Sequence, residues 1–451
     1  MSFESRSEAG VRRRPGPVAR RVAAFALASC IGPGAVGAQE PTPGDVRLGI
    51  QYQPGYVPAL VVAPVAARPG LEEVAATAGD ILRTDLDFSD RFEILTLPDS
   101  LARSGPPNYA LWNELGAVWL VTADVSGTPN APILRVGLHD VVYGRLESVQ
   151  AFSLPAPDVE GFRMAVHRAS DAVVGWATKG EPGIAATRIA FRRRAEDGTS
   201  SLWVIDSDGE GLRRIATGAR SVFSPAFSPD GSRLAFTTQD EVGDFALVEA
   251  NLITGRRRTI ATGSLLMTPS YAPDGRLAWA EIAGDGAEVF LEGAGRLTET
   301  RGDALNPSFS PDGNWLAFEA DPTNEPQVYV QRIGSGQPRR ISVYVRGERT
   351  NAVGPDWSPT TNRIAYAALA GGAFQIFTVN PDGTDRRMLT SRGESEAPSW
   401  APDGRHLVFS SRDARGHALW IMDVVTGRSR ILTSGRRDGL PDWSARIPPG
   451  S

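Results

Sequence analysis

The segment Pro225-Ala-Phe-Ser-Pro-Asp-Gly231 carries the pattern that decides the fold, because versions of it recur through the second half of the chain. The copies are Pro269-Ser-Tyr-Ala-Pro-Asp-Gly275, Pro307-Ser-Phe-Ser-Pro-Asp-Gly313, Pro355-Asp-Trp-Ser-Pro-Thr-Thr361, Pro398-Ser-Trp-Ala-Pro-Asp-Gly404 and the shortened Pro441-Asp-Trp-Ser444. Their leading prolines are 44, 38, 48, 43 and 43 residues apart. A period of about 40 to 45 residues is typical of the four-stranded blades of a propeller.

Each copy also predicts where its strands begin and end. Proline presets φ, the aspartate bonds the following backbone and glycine accepts a positive φ, so Pro-Asp-Gly is a turn signal. Short apolar strands flank this turn, and two more follow, as in Leu202-Trp-Val-Ile205 and Arg213-Arg-Ile-Ala216. The repeat therefore predicts four antiparallel strands per blade.

The two ends of the repeat region complement each other. Arg188-Ile-Ala-Phe191 is a second strand with no first strand before it, and Pro441-Asp-Trp-Ser444 is a first strand with no second strand after it. Pairing them gives six blades over residues 184–446 and removes the open edges of a linear array. We expect the last dozen residues to matter for stability more than a tail normally does.

Residues 51–180 lack the repeat and predict a small α/β domain. Apolar residues at helical spacing indicate a helix over 71–86, and similar patterns indicate helices at 109–116 and 159–178. Strands are expected within 58–65, 91–95 and 117–122, with a hairpin formed by 133–142 and 146–154. The predicted fold is thus an α/β N-terminal domain followed by an all-β six-bladed propeller, closed by the C-terminal strand.

The first 38 residues have the pattern of a secretory signal peptide. Arg20-Arg21 precede an apolar run over 22–31, and the small residues of 34–38 follow it. The predicted cleavage lies after Ala38, which sends the chain to the periplasm. Leu27-Ala28-Ser29-Cys30 offers an alternative, a lipobox with a lipidated Cys30. Residues 39–50 are rich in proline and glycine and predict a mobile arm.

Charge and motifs argue against several classes of function. The first 38 residues carry six arginines and two glutamates, so the rest of the chain carries a charge of −9 and the whole chain −5. A nucleic-acid-binding surface would instead need a stripe of basic residues. No Gly-x-Ser-x-Gly elbow, Walker motif or dinucleotide motif occurs, and no two histidines have metal-ligand spacing. We therefore expect no enzyme activity, cofactor or metal.

Residues within the repeat have simple structural interpretations. The aspartates of the Pro-Asp-Gly turns are expected to form turns rather than to bind metal. His406 replaces the arginine usual at its position and is predicted to face solvent. The recurring aromatic residues are expected to pack between blades: Phe227, Tyr271, Phe309, Trp357, Trp400 and Trp443.

The repeat resembles that of the TolB family, the periplasmic propeller components of Tol-Pal systems. Residues 80–95, with their Asp-Leu-Asp-Phe-Ser-Asp-Arg-Phe core, and Trp112-Asn-Glu-Leu-Gly-Ala117 resemble segments of the family's N-terminal domain. The chain departs from the family in three places. Asp90 stands where the family usually has glycine, Thr360-Thr361 replace Asp-Gly, and the blade at 277–302 is trimmed.

The segments just before each leading proline form the candidate binding surface. We interpret them as loops around one mouth of the central channel, where apolar residues lie beside polar ones, as in a protein interface. The alternative is that they tuck between blades. The candidate residues are Phe223, Leu265, Met267, Thr268, Leu305, Asn306, Asn351, Glu396 and Leu440.

The resemblance implies a function for this surface and for the arm. Members of the family dock a Pal-type peptidoglycan-associated lipoprotein there, and their N-terminal segment engages a TolA-type inner-membrane protein or folds back to regulate docking. The implied role is support of outer-membrane integrity and of envelope constriction at cell division, with membrane contact only indirect unless Cys30 is lipidated. The alternative function is binding of a small ligand or glycan in the channel, with or without an enzyme activity. The arm residues concerned are Glu40, Asp45, Val46, Arg47 and Leu48.

Overall fold

The computed structural model describes residues 57–96, 107–159, 161–217, 220–343, 345, 347, 349–413, 416–433 and 437–447. The predicted signal peptide, Cys30 and the arm at 39–50 lie outside these described residues. Within them, no helix is both long enough and apolar enough to cross a membrane.

The N-terminal domain packs two helices against one face of a mixed sheet. The sheet order is β3-β1-β4-β5-β6, with β2 also pairing with β4. Strand β1 is parallel to β3 and β4, whereas β4, β5 and β6 form an antiparallel meander. The elements are β1 (Ala59–Val62), β2 (Ala66–Ala67), α1 (Glu72–Phe88), β3 (Glu93–Ile94), α2 (Tyr109–Glu114), β4 (Trp119–Thr128), β5 (Ala131–Asp140), β6 (Arg145–Ser153) and α3 (Phe162–Ala177).

The core of this domain explains why the helices form where the pattern predicted. Ala78 and Leu82 of α1 and Val166 of α3 are fully buried against Leu134 and Val136 of β5. Glu72 and Glu73 occupy the first turn of α1, where their charges interact favourably with the helix dipole. The predicted order of helices and strands is confirmed, although β4 continues six residues beyond the predicted end to complete its hairpin with β5.

The remaining strands form six four-stranded antiparallel sheets, as predicted. Each sheet is one blade, and its strands follow one another in the chain except in the sixth. Blade 1 is β10 (Ser221–Phe227), β11 (Arg233–Gln239), β12 (Phe245–Asn251) and β13 (Arg257–Gly263); blade 2 is β14 (Leu266–Tyr271), β15 (Leu277–Ala283), β16 (Gly286–Leu291) and β17 (Gly295–Arg296); blade 3 is β18 (Ala304–Phe309), β19 (Trp315–Ala320), β20 (Gln327–Arg332) and β21 (Arg339–Arg340). Blade 4 is β22 (Ala352–Trp357), β23 (Ile364–Ala370), β24 (Ala373–Val379) and β25 (Arg387–Met388); blade 5 is β26 (Glu394–Trp400), β27 (His406–Asp413), β28 (Gly416–Asp423) and β29 (Ser429–Ile431); blade 6 is β30 (Arg437–Trp443), β7 (Arg188–Arg194), β8 (Ser200–Asp206) and β9 (Arg213–Thr217).

Blade 6 closes the ring as the repeat predicted. Strand β30 pairs antiparallel with β7, so that Trp443 lies opposite Ile189. The Arg193 guanidinium donates to both carboxylate oxygens of Asp438, at 2.7 and 2.8 Å. Because Asp438 is almost fully buried, this bidentate pair fixes the register of the closing strand.

The repeat residues take the structural roles expected of them. Asp230 accepts from the Ser232 amide at 3.0 Å and from the Ser228 hydroxyl at 2.5 Å, which closes the turn before Gly231 with its φ of 69°. The six recurring aromatic side chains are all buried between blades. In blade 4, where Asp-Gly is missing, the Thr361 amide bonds Ser358 Oγ instead, so the departure preserves the turn.

Candidate protein-interaction site

The six first strands β10, β14, β18, β22, β26 and β30 all begin on one face of the propeller, which we call the mouth face. The segments predicted as loops here belong to these strands or directly precede them, which corrects the sequence interpretation. Each strand carries a register shift just before its repeat proline, as between Phe223 and Ala226 in β10. A bulge bends a strand without ending it, so the pattern of turn residues could not reveal that pairing continues.

The bulge has the same backbone geometry in every blade. The residue before each leading proline has a positive φ, a conformation that costs free energy for residues other than glycine. Hydrogen bonds between blades hold it: the Asn306 amide donates to Thr268 Oγ1 at 3.0 Å, and the Gly354 amide to Glu319 Oε2 at 3.1 Å. The six residues are Ser224 (51°), Thr268 (48°), Asn306 (51°), Gly354 (57°), Ala397 (51°) and Leu440 (51°).

The nine candidate residues all retain some exposure to solvent. Glu396 is exposed and the other eight are half-buried. Thr268, Asn306 and Leu440 line the central channel, whereas the rest lie outside its lining. Phe223 packs edge-on against Phe245 of the same blade, with ring centroids 5.8 Å apart. The residues therefore share the mouth face, and they divide between the channel rim and the surface around it.

The channel runs between the first strands and has a cavity volume of about 460 Å³. Its wall repeats the sequence x-Pro-x-aromatic, so prolines and aromatic edges alternate with one further position per blade, which is polar in five of the six blades. That position is filled by Ala226, Ser270, Ser308, Asp356, Ser399 and Asp442.

These polar residues tie neighbouring blades together. Asp442 Oδ2 accepts from the Phe227 amide at 2.7 Å, and Asp356 Oδ2 accepts from the Trp400 amide at 2.7 Å. Burial raises the pKa of Asp356 to about 6 and, with the charge of Asp356 adding to it, that of Asp442 to about 8. The channel therefore carries two carboxyl groups that hold their protons more tightly than exposed ones do.

The opposite face of the propeller carries the Pro-Asp-Gly turns, and we call it the turn face. Here His406, predicted to face solvent, is fully buried. Its Nδ1 lies 2.7 Å from Asp403 Oδ2, and its Nε2 lies 3.3 Å from Oδ2 of Asp90, just after α1. The prediction was wrong because the repeat shows only the blade's own environment, whereas the N-terminal domain covers this position.

The contact depends on His406, which replaces the repeat arginine, and on Asp90, which stands where the family usually has glycine. Asp90 has a φ of 52°, which glycine adopts without strain, and its carboxylate reaches the imidazole. Burial alone would lower the pKa of His406, but the carboxylates of Asp403 and Asp90 outweigh it and raise the pKa to about 9. A charged imidazole therefore joins the two domains.

A second histidine lies in the same interface. His167 Nδ1 is 2.8 Å from Asp85 Oδ2, and its Nε2 is 3.7 Å from Asp208 Oδ2 in the blade 6 turn. Burial lowers the pKa of His167, but Asp85 and Asp208 outweigh it and raise the pKa. Sequence reasoning missed both histidines as interface residues; only the replacement of the repeat arginine at 406 gave a signal.

Within each histidine cluster, atoms of the kind that bind metals lie within 4.8 Å of one another. The clusters are Asp85, His167 and Asp208, and Asp90, His406 and Asp423. Arg405 pairs with that Asp423 at 2.5 Å, and Arg163 pairs with Asp208. Because arginines already neutralise these carboxylates, we interpret the clusters as buried ion-pair networks that join the domains.

Comparison with known proteins places this architecture in a family. The family model described as the TolB beta propeller domain matches residues 177–446. The chain belongs to the TolB β-propeller family. A Polaromonas protein named Tol-Pal system protein TolB is 33% identical over 206 residues, which cover 45% of this chain and 47% of that relative. A Bordetella pertussis protein of the same name is 27% identical over 376 residues, or 72% of this chain and 84% of the relative.

The match to solved structures supports the TolB fold. The crystal structure of TolB from Acinetobacter baumannii has a TM-score of 0.75 and 23% identity, and it covers 87% of this chain and 98% of that one. The chain spans about half the length of the Polaromonas TolB relative. The likeness in structure thus includes the N-terminal domain, whereas the sequence match to the Polaromonas relative covers less than half of the chain.

Proposed function

We propose that this chain is a non-catalytic periplasmic component of a Tol-Pal system that docks a Pal-type peptidoglycan-associated lipoprotein on its mouth face. The observation that carries the proposal is the ring of partly exposed apolar and polar residues on that face of a TolB-family propeller. The relatives named Tol-Pal system protein TolB give the partner class. Its cellular role would be to support outer-membrane integrity and constriction at cell division.

The chemistry of the mouth face suits a protein partner. Phe223, Leu265, Met267 and Leu305 supply half-buried apolar surface, and Asn351 supplies a polar group beside it. Apolar residues within a polar rim are the usual composition of an interface. The turn face, in contrast, is engaged by the N-terminal domain at blades 5 and 6.

The arm supplies the proposed regulation. Glu40 and residues 45–48 would engage a TolA-type protein or fold back, so that the position of the arm biases docking of the lipoprotein. Export by the signal peptide, with cleavage after Ala38, would place the chain in the periplasm; lipidation at Cys30 is the alternative.

Titration calorimetry tests the docking surface. Residues 39–451 are titrated with the Pal-type domain of the same genome, as wild type and as Leu265→Glu and Leu305→Glu. A charge buried against an apolar partner surface should weaken binding about 30-fold or more. Ile253→Glu is the matched control, since Ile253 is 55% exposed in a turn of the opposite face.

The outcomes separate clearly. Loss of binding in both mouth-face variants, with the control unchanged, supports docking there. Absence of binding by a folded wild-type protein refutes the partner, and equal binding by all variants refutes the surface.

A second candidate function is binding of a small ligand or glycan in the channel. The observation that favours it is the pair of channel carboxyl groups, Asp356 and Asp442, within a cavity of about 460 Å³. Such a ligand would bind equally well to the Leu265→Glu protein and lose affinity on Asp442→Asn, which distinguishes it from the lipoprotein.

A further inference from the structure

One position of the repeat differs between blades in a way that the fold does not require. The residue that starts the second strand is normally an arginine paired with an acid of its own blade. Arg188 lies 3.2 Å from Asp206, and Arg233 lies 3.0 Å from Glu249. In blade 3 the position holds Trp315, whose side chain is 39% exposed.

Trp315 forms one wall of a cleft between blades 3 and 4 on the turn face. The cleft has a volume of about 540 Å³, and Val330, Trp357 and Pro381 add to its apolar lining. The Arg339 guanidinium spans the two blades, donating at 2.6 Å to the carbonyl oxygens of both Pro381 and Asp382. The cleft is therefore held open at a fixed width and does not need to form when a ligand arrives.

A buried donor without an acceptor lies in the same wall. The indole Nε1 of Trp357 is buried and has no hydrogen-bond partner among the described residues. The equivalent indoles are satisfied: Trp400 donates to the Asp356 carbonyl at 3.2 Å, and Trp443 donates to Thr187 Oγ1 at 2.8 Å. Because Nε1 itself is inaccessible to solvent, a ligand in the cleft would contact the Trp357 ring and not this N–H.

Polar groups surround the aromatic surfaces. Asn362, at the position in blade 4 that Thr187 holds in blade 6, is exposed in the cleft. The carboxylates of Asp312 and Asp382 stand at the rim as acceptors, and Arg339 is occupied by the two carbonyls. The cleft thus offers an exposed indole face, an amide and two carboxylates, and no free cation among the residues that line it.

We propose that this cleft binds carbohydrate, in the form of neutral hexose or N-acetylhexosamine units. The apolar C–H face of a sugar ring covers the Trp315 indole, while hydroxyl or acetamido oxygens accept from the Asn362 amide. Sugar hydroxyls also donate to carboxylates, which would repel an anionic ligand. The site goes beyond the proposed docking function and lies on the opposite face of the propeller, so the two stand or fall separately.

Two neutral trisaccharides serve as probes: tri-N-acetylchitotriose for N-acetylhexosamine and maltotriose for hexose. Binding is followed by saturation-transfer NMR and calorimetry on residues 39–451. Trp315→Arg restores the residue usual in the repeat, and Asn362→Ala removes the exposed amide. Met388→Ala, which truncates a 51% exposed side chain of β25 outside the cleft lining, is the matched control.

We expect at least one trisaccharide to bind, with affinity reduced about tenfold or more in each cleft variant and unchanged in the control, because each cleft variant removes a principal contact. Thermal melts confirm that the variants are folded. Absence of binding by both probes at millimolar concentration overturns the proposal, as does equal binding by Trp315→Arg. Titration of the same variants with the Pal-type domain should remain unchanged.

Discussion

Replacing His406 with asparagine should remove much of the dependence of stability on pH between about pH 6.5 and 9. The folded pKa of His406 is about 9, above the ordinary value near 6.5. The extra stability is therefore fully present below pH 6.5 and is lost as pH rises through 9. The difference between the two pKa values corresponds to about 3 kcal/mol of unfolding free energy.

The surroundings of the imidazole make it the titrating group in this range. Burial would raise the pKa of Asp403 and of Asp423, but the charge of His406 lowers the first and the Arg405 guanidinium lowers the second, so both carboxylates are ionised in this range. The charged groups around His406 come from both domains: Asp403, Asp423, Arg405 and Arg428 from blade 5, and Asp90 and Arg91 from the segment after α1.

Urea unfolding followed by tryptophan fluorescence measures the effect at about pH 6, 7.5 and 9.5. The wild type should exceed His406→Asn by about 3 kcal/mol at the lowest pH, and the gap should shrink as the imidazole loses its proton. His417→Asn is the control, because His417 is exposed on β28. Titration of Asp442 occurs in all three proteins and cancels in the comparison. A constant gap across the three pH values would refute a charged His406.

Three further predictions concern the propeller. Asp438→Asn should destabilise the protein by about 3 kcal/mol in urea unfolding, because it leaves Arg193 buried without its charge partner. Asp442→Asn should gain about 5 kcal/mol over the wild type as pH rises from 4 to 8: the folded state keeps a proton that the unfolded state releases, so wild-type stability falls over this range. Gly404→Ala should lower stability by about 3 kcal/mol, since its Cβ would lie 2.0 Å from a threonine hydroxyl of blade 4, whereas Gly427→Ala, with open space around it, should cost about 1 kcal/mol from φ alone. Thermal melts of the two glycine variants should differ accordingly, and equal midpoints would contradict the steric argument.

The blades were predictable because the information that specifies them is local and repeated. Pro-Asp-Gly turns and flanking apolar strands each act within a dozen residues, and six copies reinforce one another. Closure was also predictable, since Arg188 opens a blade that lacks a first strand and Pro441 supplies one.

The contents of the candidate sites were harder to predict, because they depend on residues distant in the chain. His406 and Asp90 are 316 positions apart, and nothing in either local pattern pairs them. The bulge before each proline is a similar case: the positive φ at Asn306 goes with a bond from its amide to Thr268 of the neighbouring blade, which no local pattern predicts.

The pairing of β30 with β7 determines when the propeller can close during synthesis. Arg193 and Asp438 are separated by 245 residues, so the ring cannot be completed until nearly every other strand has been synthesised. Contacts this distant form slowly, and until they form the second strand of blade 6 presents an unpaired edge. In an exported chain the closing strand would also be the last to cross the inner membrane. Before closure, the new propeller is most exposed to proteases and to strand exchange with a second copy. Pairing of the final strand is therefore the step that commits the chain to its native state.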